Sequence, residues 1–358
     1  MIYLDHAATT PLCNAAKQAI IEHLDDFGNP SSTHELGRQS RVLIENARER
    51  IAKCINAEPD EICFTSGGSE ANTWAVYNFE TLSTDIEHHS ISPDICLKVG
   101  DNDITDPEVY RHINKWTTSL ISCMYVNNEI GSIQPIKEIA EMVHDNKIWF
   151  HTDAVQAMPY LKIDVKDLNC DMLSASGHKF GALKGIGFLY IKKNGPDLDP
   201  LICGGKQELG KRPGTENILG IISMAAALED TVEHMEERNA HIKYLRDKLL
   251  DKLLQIPNSY LNGSLENRVP GNINIRFSGV SGSRLVTLCS LYGVYISSGS
   301  ACNEGISMPS HVLKAIGLSD EEALSSVRIT IGHTNTEAEI DTAADIITKL
   351  VERIRNDD

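Results

Sequence analysis

A lysine stands in an unusual setting within residues 171–187, where the chain reads DMLSASGHKFGALKGIG. Lys179 follows a short apolar run and is crowded by small and hydroxylated residues, before a loop with three glycines. Partial removal from water lowers the pKa of an ammonium group and frees the amine to form a Schiff base with a carbonyl compound. From this stretch alone, a lysine that only decorates a loop is the favoured interpretation, and the choice between Lys179 and Lys184 stays open.

A second candidate for chemistry is a thiol. Nine cysteines are scattered along the chain without a CxxC pair, which argues against a disulfide framework and against a zinc site. Several of them, such as Cys63 and Cys123, lie in apolar runs and are predicted to be small buried residues. Cys302 lies instead in the polar segment SSGSACNEGISMPS, where we expect an exposed thiol. Without further context, an idle surface thiol is the favoured interpretation.

A third candidate is a phosphate site. A strand predicted at Ile62–Thr65 runs into SGGSEANTWAVYN, a Gly-Gly turn followed by a helix start. Backbone amides at a helix N-terminus point outward and can bind a phosphate, and Ser66 and Ser69 add hydroxyl donors. Many helices open with such turns without a ligand. The segment is neither a Walker loop nor a GxGxxG fingerprint, so it gives little support to nucleotide binding.

The elements that must position these residues alternate along the chain. Segments rich in β-branched and apolar residues are predicted at 119–126, 148–152, 171–175 and 187–191, with a helix at 136–143. This alternation predicts an α/β fold whose large lobe has a mainly parallel sheet flanked by helices. Ligands bind at the carboxyl ends of the strands in such sheets, so we expect one crevice formed by Asn128, Asp153, Gln156, His178 and Lys179.

The length of 358 residues predicts two lobes rather than one core. A long helical region at 216–256 is expected to begin in the large lobe and to end as a connector at Pro257. The short strands and helices after it indicate a smaller α+β lobe. The predicted large domain covers residues 13–256, and the predicted small domain is formed by residues 1–12 and 257–358 and carries Cys302.

Charge and hydropathy exclude several classes of partner. The chain has 33 basic and 50 acidic residues, which gives a formal charge of −17 and repels nucleic acids and anionic membranes. No run of three basic residues offsets this charge, and no apolar run approaches the length of a membrane span. Residues 1–12 lack the pattern of a signal peptide. We therefore expect a cytoplasmic protein that binds neither nucleic acid nor membranes.

The candidate residues together match the needs of pyridoxal phosphate. This cofactor requires a lysine amine, a partner for its ring nitrogen and donors for its phosphate. Lys179, Asp153 and the turn at 66–69 could supply these three. A carboxylate beside the ring nitrogen keeps the nitrogen protonated, so that the ring can accept electrons from a substrate Cα. Taken alone, Asp153 is better explained as a cap or turn residue.

The whole chain resembles the cysteine desulfurases of the NifS/IscS type, which belong to the class V aminotransferase family of fold-type I pyridoxal phosphate enzymes. The resemblance runs nearly end to end, through motifs in the order of that family. The motifs are YLDHAATTP, FGNPSSTHELGR, FTSGGSEANTWA, IEHHS, VNNEIGSIQPI, FHTDAVQ, SASGHKFGALKGIG, RPGTENI, SSGSACNEG and SVRITIGHTNTEAEID.

The resemblance implies a role for each matching residue. Lys179, rather than Lys184, would hold the cofactor and move the Cα proton, because the family's lysine follows Gly-His. His88 would stack on the cofactor ring and assist proton transfer, and Arg328 would bind the substrate carboxylate as a bidentate guanidinium. The remaining assignments are Asp153 at the ring nitrogen, Gln156 and Asn128 near the 3-oxygen with Asn128 also near the substrate, Gly68, Ser69, Ser176 and His178 at the phosphate, and Thr215 from a second subunit.

The resemblance also implies the reaction and the partners. The Cys302 thiolate would attack the sulfur of L-cysteine and give alanine and a persulfide, for delivery to a protein acceptor in iron-sulfur cluster assembly or thiolation. A homodimer is implied. A selenocysteine lyase, another enzyme of the family or a non-catalytic sulfur carrier are the alternatives. Because the chain ends soon after TNTEAEID, docking of an iron-sulfur scaffold stays open.

Overall fold

The computed structural model describes residues 1–91, 95–100, 103–298, 302–303 and 306–357, and for 302–303 and 306–307 it describes the backbone only. Within these residues the chain builds two main hydrophobic cores, one beneath each of two sheets. We call the part around the seven-stranded sheet the large lobe and the part around the four-stranded sheet the small lobe.

The large lobe has a mainly parallel sheet, as the alternation of segments predicted. Its strands are β2 (Ile62–Thr65), β3 (Thr81–Thr84), β4 (Ile95–Leu97), β5 (Leu120–Ser122), β6 (Trp149–Asp153), β7 (Met172–Ser176) and β8 (Gly187–Ile191). Their order in the sheet is β2-β8-β7-β6-β5-β3-β4. The pairs from β7 to β4 are parallel, whereas β8 runs antiparallel to both of its neighbours. The carboxyl ends of β6 and β7 therefore meet at one edge.

Helices cover this sheet. They are α1 (Asn14–Glu22), α2 (Glu35–Cys54), α3 (Gly68–Tyr77), α4 (Ile136–Asp145), α5 (Val165–Leu168) and α6 (Ile218–Glu233). In α2 the buried residues Ile44, Ala47 and Ile51 recur at helical spacing and face the core, where the helix packs against α6.

The helical region predicted at 216–256 is divided into two helices at His234, where α6 ends and α7 (Met235–Leu254) begins. Almost every residue in the middle of α6 is buried in the large lobe. In α7 the buried residues Leu245, Leu249 and Leu253 pack in the core of the small lobe. The change of direction at His234 therefore transfers the chain from one core to the other.

The small lobe is an α+β unit. Its sheet has the order β12-β15-β10-β9, in which each neighbouring pair is antiparallel. These strands are β9 (Ser259–Leu261), β10 (Asn272–Phe277), β12 (Ser297–Ser298) and β15 (Ser326–Thr330), and the longer helices are α8 (Gly282–Leu291) and α11 (Glu337–Asp357). The first strand of the chain, β1 (Ile2–Tyr3), pairs in parallel with β11 (Val294–Tyr295), so the N-terminus is attached to this lobe.

Two short helices after the Cys302 segment, α9 (His311–Ala315) and α10 (Asp320–Leu324), follow the hairpin of β13 (Cys302–Asn303) and β14 (Ile306–Ser307). Val312 and Leu313 of α9 are fully buried, and their neighbours are Ile86, Met124 and Ile130 of the large lobe. A further, smaller core therefore lies between the lobes. None of the helices within the described residues is both long enough and apolar enough to span a membrane.

A buried ion pair fixes the loop that follows β8. Glu208 accepts hydrogen bonds from Nη1 and Nη2 of Arg48, at 2.7 and 2.8 Å, and from the Phe64 amide at 2.9 Å. Both side chains are buried, whereas Glu45, which accepts from Nε of the same arginine, is half exposed. Removing one member of a buried pair leaves the other charge desolvated without a partner.

We expect Glu208→Ala to lower the free energy of unfolding by about 3 kcal/mol or more, because Arg48 would stay buried without its carboxylate. The matched control, Glu45→Ala, should cost about 1 kcal/mol or less, since its carboxylate is largely hydrated. Urea denaturation followed by tryptophan fluorescence measures both, because Trp74, Trp116 and Trp149 all lie in the large lobe. If both variants lost the same free energy of unfolding, the buried Arg48–Glu208 pair would not be the more important of the two contacts.

Candidate active site

A cavity of about 180 Å³ opens at the carboxyl ends of β6 and β7. It is lined by Ala7, Ala8, Gly68, Ser69, Asn72, His88, Met124, Asn128, Asp153, Val155, Gln156, Ser176, His178, Lys179 and Arg328. The structure thus brings together every residue that the resemblance assigns to the site, except Thr215 and Cys302. It supplies their geometry, while their individual roles stay predictions.

Lys179 ends the short 3₁₀ turn Gly177–Lys179 that follows β7. Its Nζ donates to the carbonyl oxygens of Ala7 and Ala8, at 2.7 and 2.9 Å. Burial lowers the pKa of Lys179 to about 8, and the positive charge of Arg328 is the second largest cause of this shift. An amine with this pKa is neutral in a useful fraction of molecules near neutral pH, so Lys179 is suited to covalent chemistry with a carbonyl group.

Asp153 ends β6 and is buried. Its carboxylate accepts from Nδ2 of Asn72 at 2.6 Å and from the Val155 amide at 2.9 Å. Burial raises its pKa, and among the described residues no cationic side chain forms a salt bridge with it. A buried carboxylate without a cationic partner fits a protonated ring nitrogen as its counter-charge.

Asn72 is a contact that the sequence reasoning missed. It lies in α3, four residues after Gly68, and therefore on the same helix face as the start of the helix. Its Nδ2 donates to Asp153 and also to Oγ of Ser90, while its Oδ1 is buried without a partner. The helical spacing from Gly68 within FTSGGSEANTWA was the signal that could have identified it.

The first turn of α3 offers donors for an anion. The amide of Ala71 donates to the Gly67 carbonyl, so the amides before it have no partner within the helix. At Gly68 a Cβ atom would lie 2.7 Å from Cγ2 of Val155, so only glycine lets the helix start approach so closely. Ser69 and Ser176 line the same end of the cavity. Hydroxyls and free amides at a positive helix end are a suitable donor set for a phosphate group.

His178 lies beside this donor set as a neutral ring. Its Nδ1 is 3.1 Å from Oγ1 of Thr9. Burial lowers the pKa of His178 to about 4, and the charges of Lys179 and Lys184 act in the same direction. Its uncharged ring can therefore donate a hydrogen bond to an anion without adding a formal charge. With Asp153 and Lys179, these residues fit pyridoxal phosphate.

His88 lies at the rim of the cavity, where part of the residue is exposed to solvent and part of its ring is covered. The Ser90 amide donates to Nδ1 of His88 at 3.1 Å, and the Ser90 hydroxyl lies 2.7 Å from the same nitrogen. An acceptor Nδ1 leaves the proton of the neutral ring on Nε2. Removal from water is the largest cause of a lowered pKa for His88, which favours this neutral form. The ring can therefore exchange a proton with a group in the cavity.

Arg328 is already engaged by protein groups. Its Nη1 donates to the Asn128 carbonyl and its Nη2 donates to Oδ1 of Asp5, each at 3.0 Å, while Nε is buried without a partner. Gln156 likewise uses its Nε2 to donate to the Ala7 carbonyl at 2.9 Å. A substrate carboxylate that binds Arg328 must therefore compete with Asp5 for the guanidinium.

Two candidate residues are not among the cavity lining. Thr215 is exposed on the loop before α6. Cys302 begins β13, and its backbone pairs with Ser307 of β14. The side chain of Cys302 lies outside the part of the chain that the structure describes, so its distance from the cavity stays a prediction.

Comparisons with known proteins agree with this geometry. The model of the aminotransferase class-V family matches residues 2–342. A cysteine desulfurase IscS from Methanosarcina thermophila is 40% identical over 376 residues, which cover 99% of this chain and 93% of that protein. A solved NifS-like protein superposes with a TM-score of 0.91 at 31% identity, covering 98% of this chain and 99% of that one. A structure of SspA in complex with cysteine has a TM-score of 0.81 at 33% identity, covering 94% and 100%.

The lowered pKa of Lys179 gives a prediction for the cofactor-free protein. We expect the rate at which it attaches pyridoxal phosphate to rise with pH to half its maximum near pH 8, because only the neutral amine reacts. About a tenth of the amine would be neutral at pH 7, against roughly one in three thousand for an ordinary lysine. Absorbance during mixing at a series of pH values measures this rate.

Three variants test the origin of that profile. Lys184→Ala should leave it unchanged, and Lys179→Ala should abolish attachment. Arg328→Met should move the midpoint to higher pH, because it removes the positive charge that opposes protonation of Lys179. A wild-type midpoint near pH 10 would show that Lys179 is an ordinary lysine.

Proposed function

The chain belongs to the aminotransferase class-V family and is a cysteine desulfurase that uses pyridoxal phosphate, and we propose that it removes the sulfur of L-cysteine onto Cys302. The observation that carries the proposal is one cavity lined by a partly buried lysine amine, by a buried carboxylate that forms no salt bridge within the described residues, and by a helix start. The reaction products are then alanine and a persulfide on Cys302.

We propose that Lys179 provides the amine that attaches the cofactor and that Asp153 binds its ring nitrogen. The amides at the start of α3, with Ser69, Ser176 and His178, would bind the phosphate. Asn128 and Gln156 would contact the side of the ring that bears the 3-oxygen. When bound, the cofactor withdraws electrons from the substrate's Cα, which makes the Cα proton acidic and weakens the Cβ–S bond.

Proton transfer falls to Lys179 and His88 in this proposal. The neutral Lys179 amine can accept the Cα proton, because burial and the charge of Arg328 disfavour its ammonium form. His88 holds an exchangeable proton on Nε2 at the rim of the cavity. Arg328 would bind the substrate carboxylate after displacing its contact with Asp5, which is an ion pair of a partly exposed guanidinium.

The sulfur step needs a thiol outside the cofactor cavity. In the proposal the Cys302 thiolate attacks the substrate sulfur, an S–S bond forms and the Cβ–S bond breaks. The electron pair of the broken bond stays with the three-carbon fragment, which takes up a proton and leaves as alanine. The persulfide on Cys302 is then available to a thiol of a protein acceptor.

Replacing the thiol separates the two halves of this chemistry. We expect Cys302→Ala to bind pyridoxal phosphate as the wild type does and to lose at least about 99% of alanine formation from L-cysteine, because no nucleophile remains. Cofactor absorbance and an alanine assay in the presence of a reductant measure both properties. Cys203→Ala, which removes an exposed thiol, is the matched control and should retain full activity.

If Cys302→Ala formed alanine from L-cysteine at the wild-type rate, the persulfide step would be wrong. If it retained activity on selenocysteine alone, the alternative of a selenocysteine lyase would be favoured.

We also propose a homodimer in which Thr215 of each subunit reaches the phosphate end of the other subunit's cavity. Thr215 is exposed and is not among the residues that line the cavity of its own chain. The loop that carries it is nevertheless held firmly, by the Arg48–Glu208 pair and by Arg212, whose Nε donates to Glu70 of α3 at 2.8 Å. Leu209, on the same loop, is 79% exposed, as an apolar residue at a subunit interface would be in the isolated chain.

Mixed dimers test whether Thr215 acts across subunits. Alone, Lys179→Ala should not attach the cofactor, and Thr215→Val should release it more readily by about threefold to tenfold, for the loss of one hydrogen bond. A dimer of one Lys179→Ala and one Thr215→Val subunit should regain one tight site, since Lys179 and Thr215 would both be intact there. Cofactor retention after dialysis measures this. A mixed dimer that retains no more cofactor than Thr215→Val would place Thr215 in its own chain's site or in neither.

A further inference from the structure

The start of α9 contacts two loops of the cofactor cavity at once. Ser310 precedes the helix and caps it, since its Oγ accepts from the Leu313 amide at 3.2 Å. Val312 and Leu313 anchor the helix in the core between the lobes. This leaves Ser310 and His311 at the boundary where the small lobe meets the cavity, and each makes one polar contact to the large lobe.

His311 holds the segment that carries His88. Its Nε2 donates to the Glu87 carbonyl at 2.9 Å, and its ring lies 4.6 Å from the ring of His89, measured between centroids. Glu87 is fixed from the other side as well. Its buried carboxyl accepts from Oγ1 of Thr84 at 2.6 Å and from the Met124 amide at 2.9 Å. The backbone on both sides of His88 is therefore restrained, and α9 supplies one of the restraints.

Ser310 holds the loop that carries Asn128. Its Oγ donates to Oε2 of Glu129 at 2.5 Å. The Glu129 carbonyl also accepts from Asn272 and Asn274 of β10, at 3.1 and 3.2 Å. The preceding Asn128 carbonyl is the acceptor for Nη1 of Arg328. Ser310 thus acts on the side of the cavity where the substrate carboxylate would bind.

We propose that Ser310 and His311 are positioning residues for the desulfurase reaction, His311 by orienting His88 for proton transfer and Ser310 by fixing Glu129 and with it Asn128 and Arg328. The proposal deepens the function proposed above and rests on it. Since a short stretch of chain joins Ser310 to Cys302, the contacts that orient the cofactor cavity also fix one end of the segment that carries the thiol.

Single substitutions in the holoenzyme should separate these roles. His311→Ala should lower kcat for alanine formation about 3- to 10-fold, the effect of one lost positioning hydrogen bond, with KM for L-cysteine unchanged. His311→Gln should restore most of the loss, because its Nε2 can donate to the Glu87 carbonyl. His112→Ala, at an exposed histidine of the large lobe, is the matched control and should behave as the wild type.

Ser310→Ala should instead raise KM for L-cysteine about 3- to 10-fold, because Glu129 loses its hydrogen-bond donor on the substrate side. Ser310→Thr, which retains the hydroxyl, should restore the wild-type value. Cofactor absorbance should be unchanged in all these variants. A loss of cofactor in both alanine variants would show that the contacts serve folding alone and would overturn the proposal.

Hydrogen exchange provides a readout that does not depend on activity. In His311→Ala, but not in His112→Ala, the amides of residues 86–91 should exchange faster, because the Ile91 amide is bonded to the His88 carbonyl within the restrained segment. If the wild type forms no alanine, the proposed function fails, and this exchange still tests the contact. If His311→Ala showed the same exchange as the wild type, or faster exchange but the wild-type kcat, the proposed role of His311 would be overturned. A His311→Gln variant as slow as His311→Ala would do the same.

Discussion

The two hydrogen bonds from the Lys179 amine to the carbonyl oxygens of Ala7 and Ala8 connect the reactive group to the first residues of the chain. Those residues belong to a segment that both lobes hold. On one side β1 pairs with β11 of the small lobe, and on the other Thr10 donates to the His178 carbonyl of the large lobe. Because the amine is fixed by this segment, its position depends on the correct packing of both lobes rather than on the loop of Lys179 alone.

The same arrangement explains the electrostatics of the cavity. Burial disfavours the charged forms of both Lys179 and Asp153, so it lowers the pKa of the amine and raises that of the carboxyl. A ligand that carries an aldehyde, a protonated ring nitrogen and a phosphate would provide one partner each for the amine, the carboxylate and the amides at the start of α3. Such a ligand would react with the amine, would place a positive ring nitrogen beside the carboxylate, and would accept hydrogen bonds from the free donors at the start of α3. Without the ligand, the burial of Lys179 and Asp153 is unfavourable, and a bound cofactor would offset it.

Several strands of the large lobe and the residues at their ends could be predicted from the sequence, because both depend on local sequence patterns. The strands β2 and β8 were predicted with their observed ends, because apolar runs bounded by turn residues define a buried strand. Asp153 and Lys179 could be placed at one crevice because parallel strands end at the same edge of a sheet. The distinction between Lys179 and Lys184 could not be derived in this way, since both lie in the glycine-containing stretch between β7 and β8. It came from the resemblance to a family.

Contacts between distant segments lay beyond that reasoning. Nothing in the local pattern around Asp5 indicates that it pairs with Arg328, and nothing around His311 indicates that it reaches the carbonyl before His88. The pattern at 311–315 indicates only an amphipathic turn, yet its apolar face belongs to a core shared by both lobes. The proposed reaction, with its nucleophile on Cys302 and its cofactor in the large lobe, would need such a shared core. If each lobe packed only on itself, small movements between the lobes would change the distance between the proposed nucleophile and the substrate sulfur. Because α9 follows the Cys302 segment and packs in the core shared by both lobes, it limits such movement.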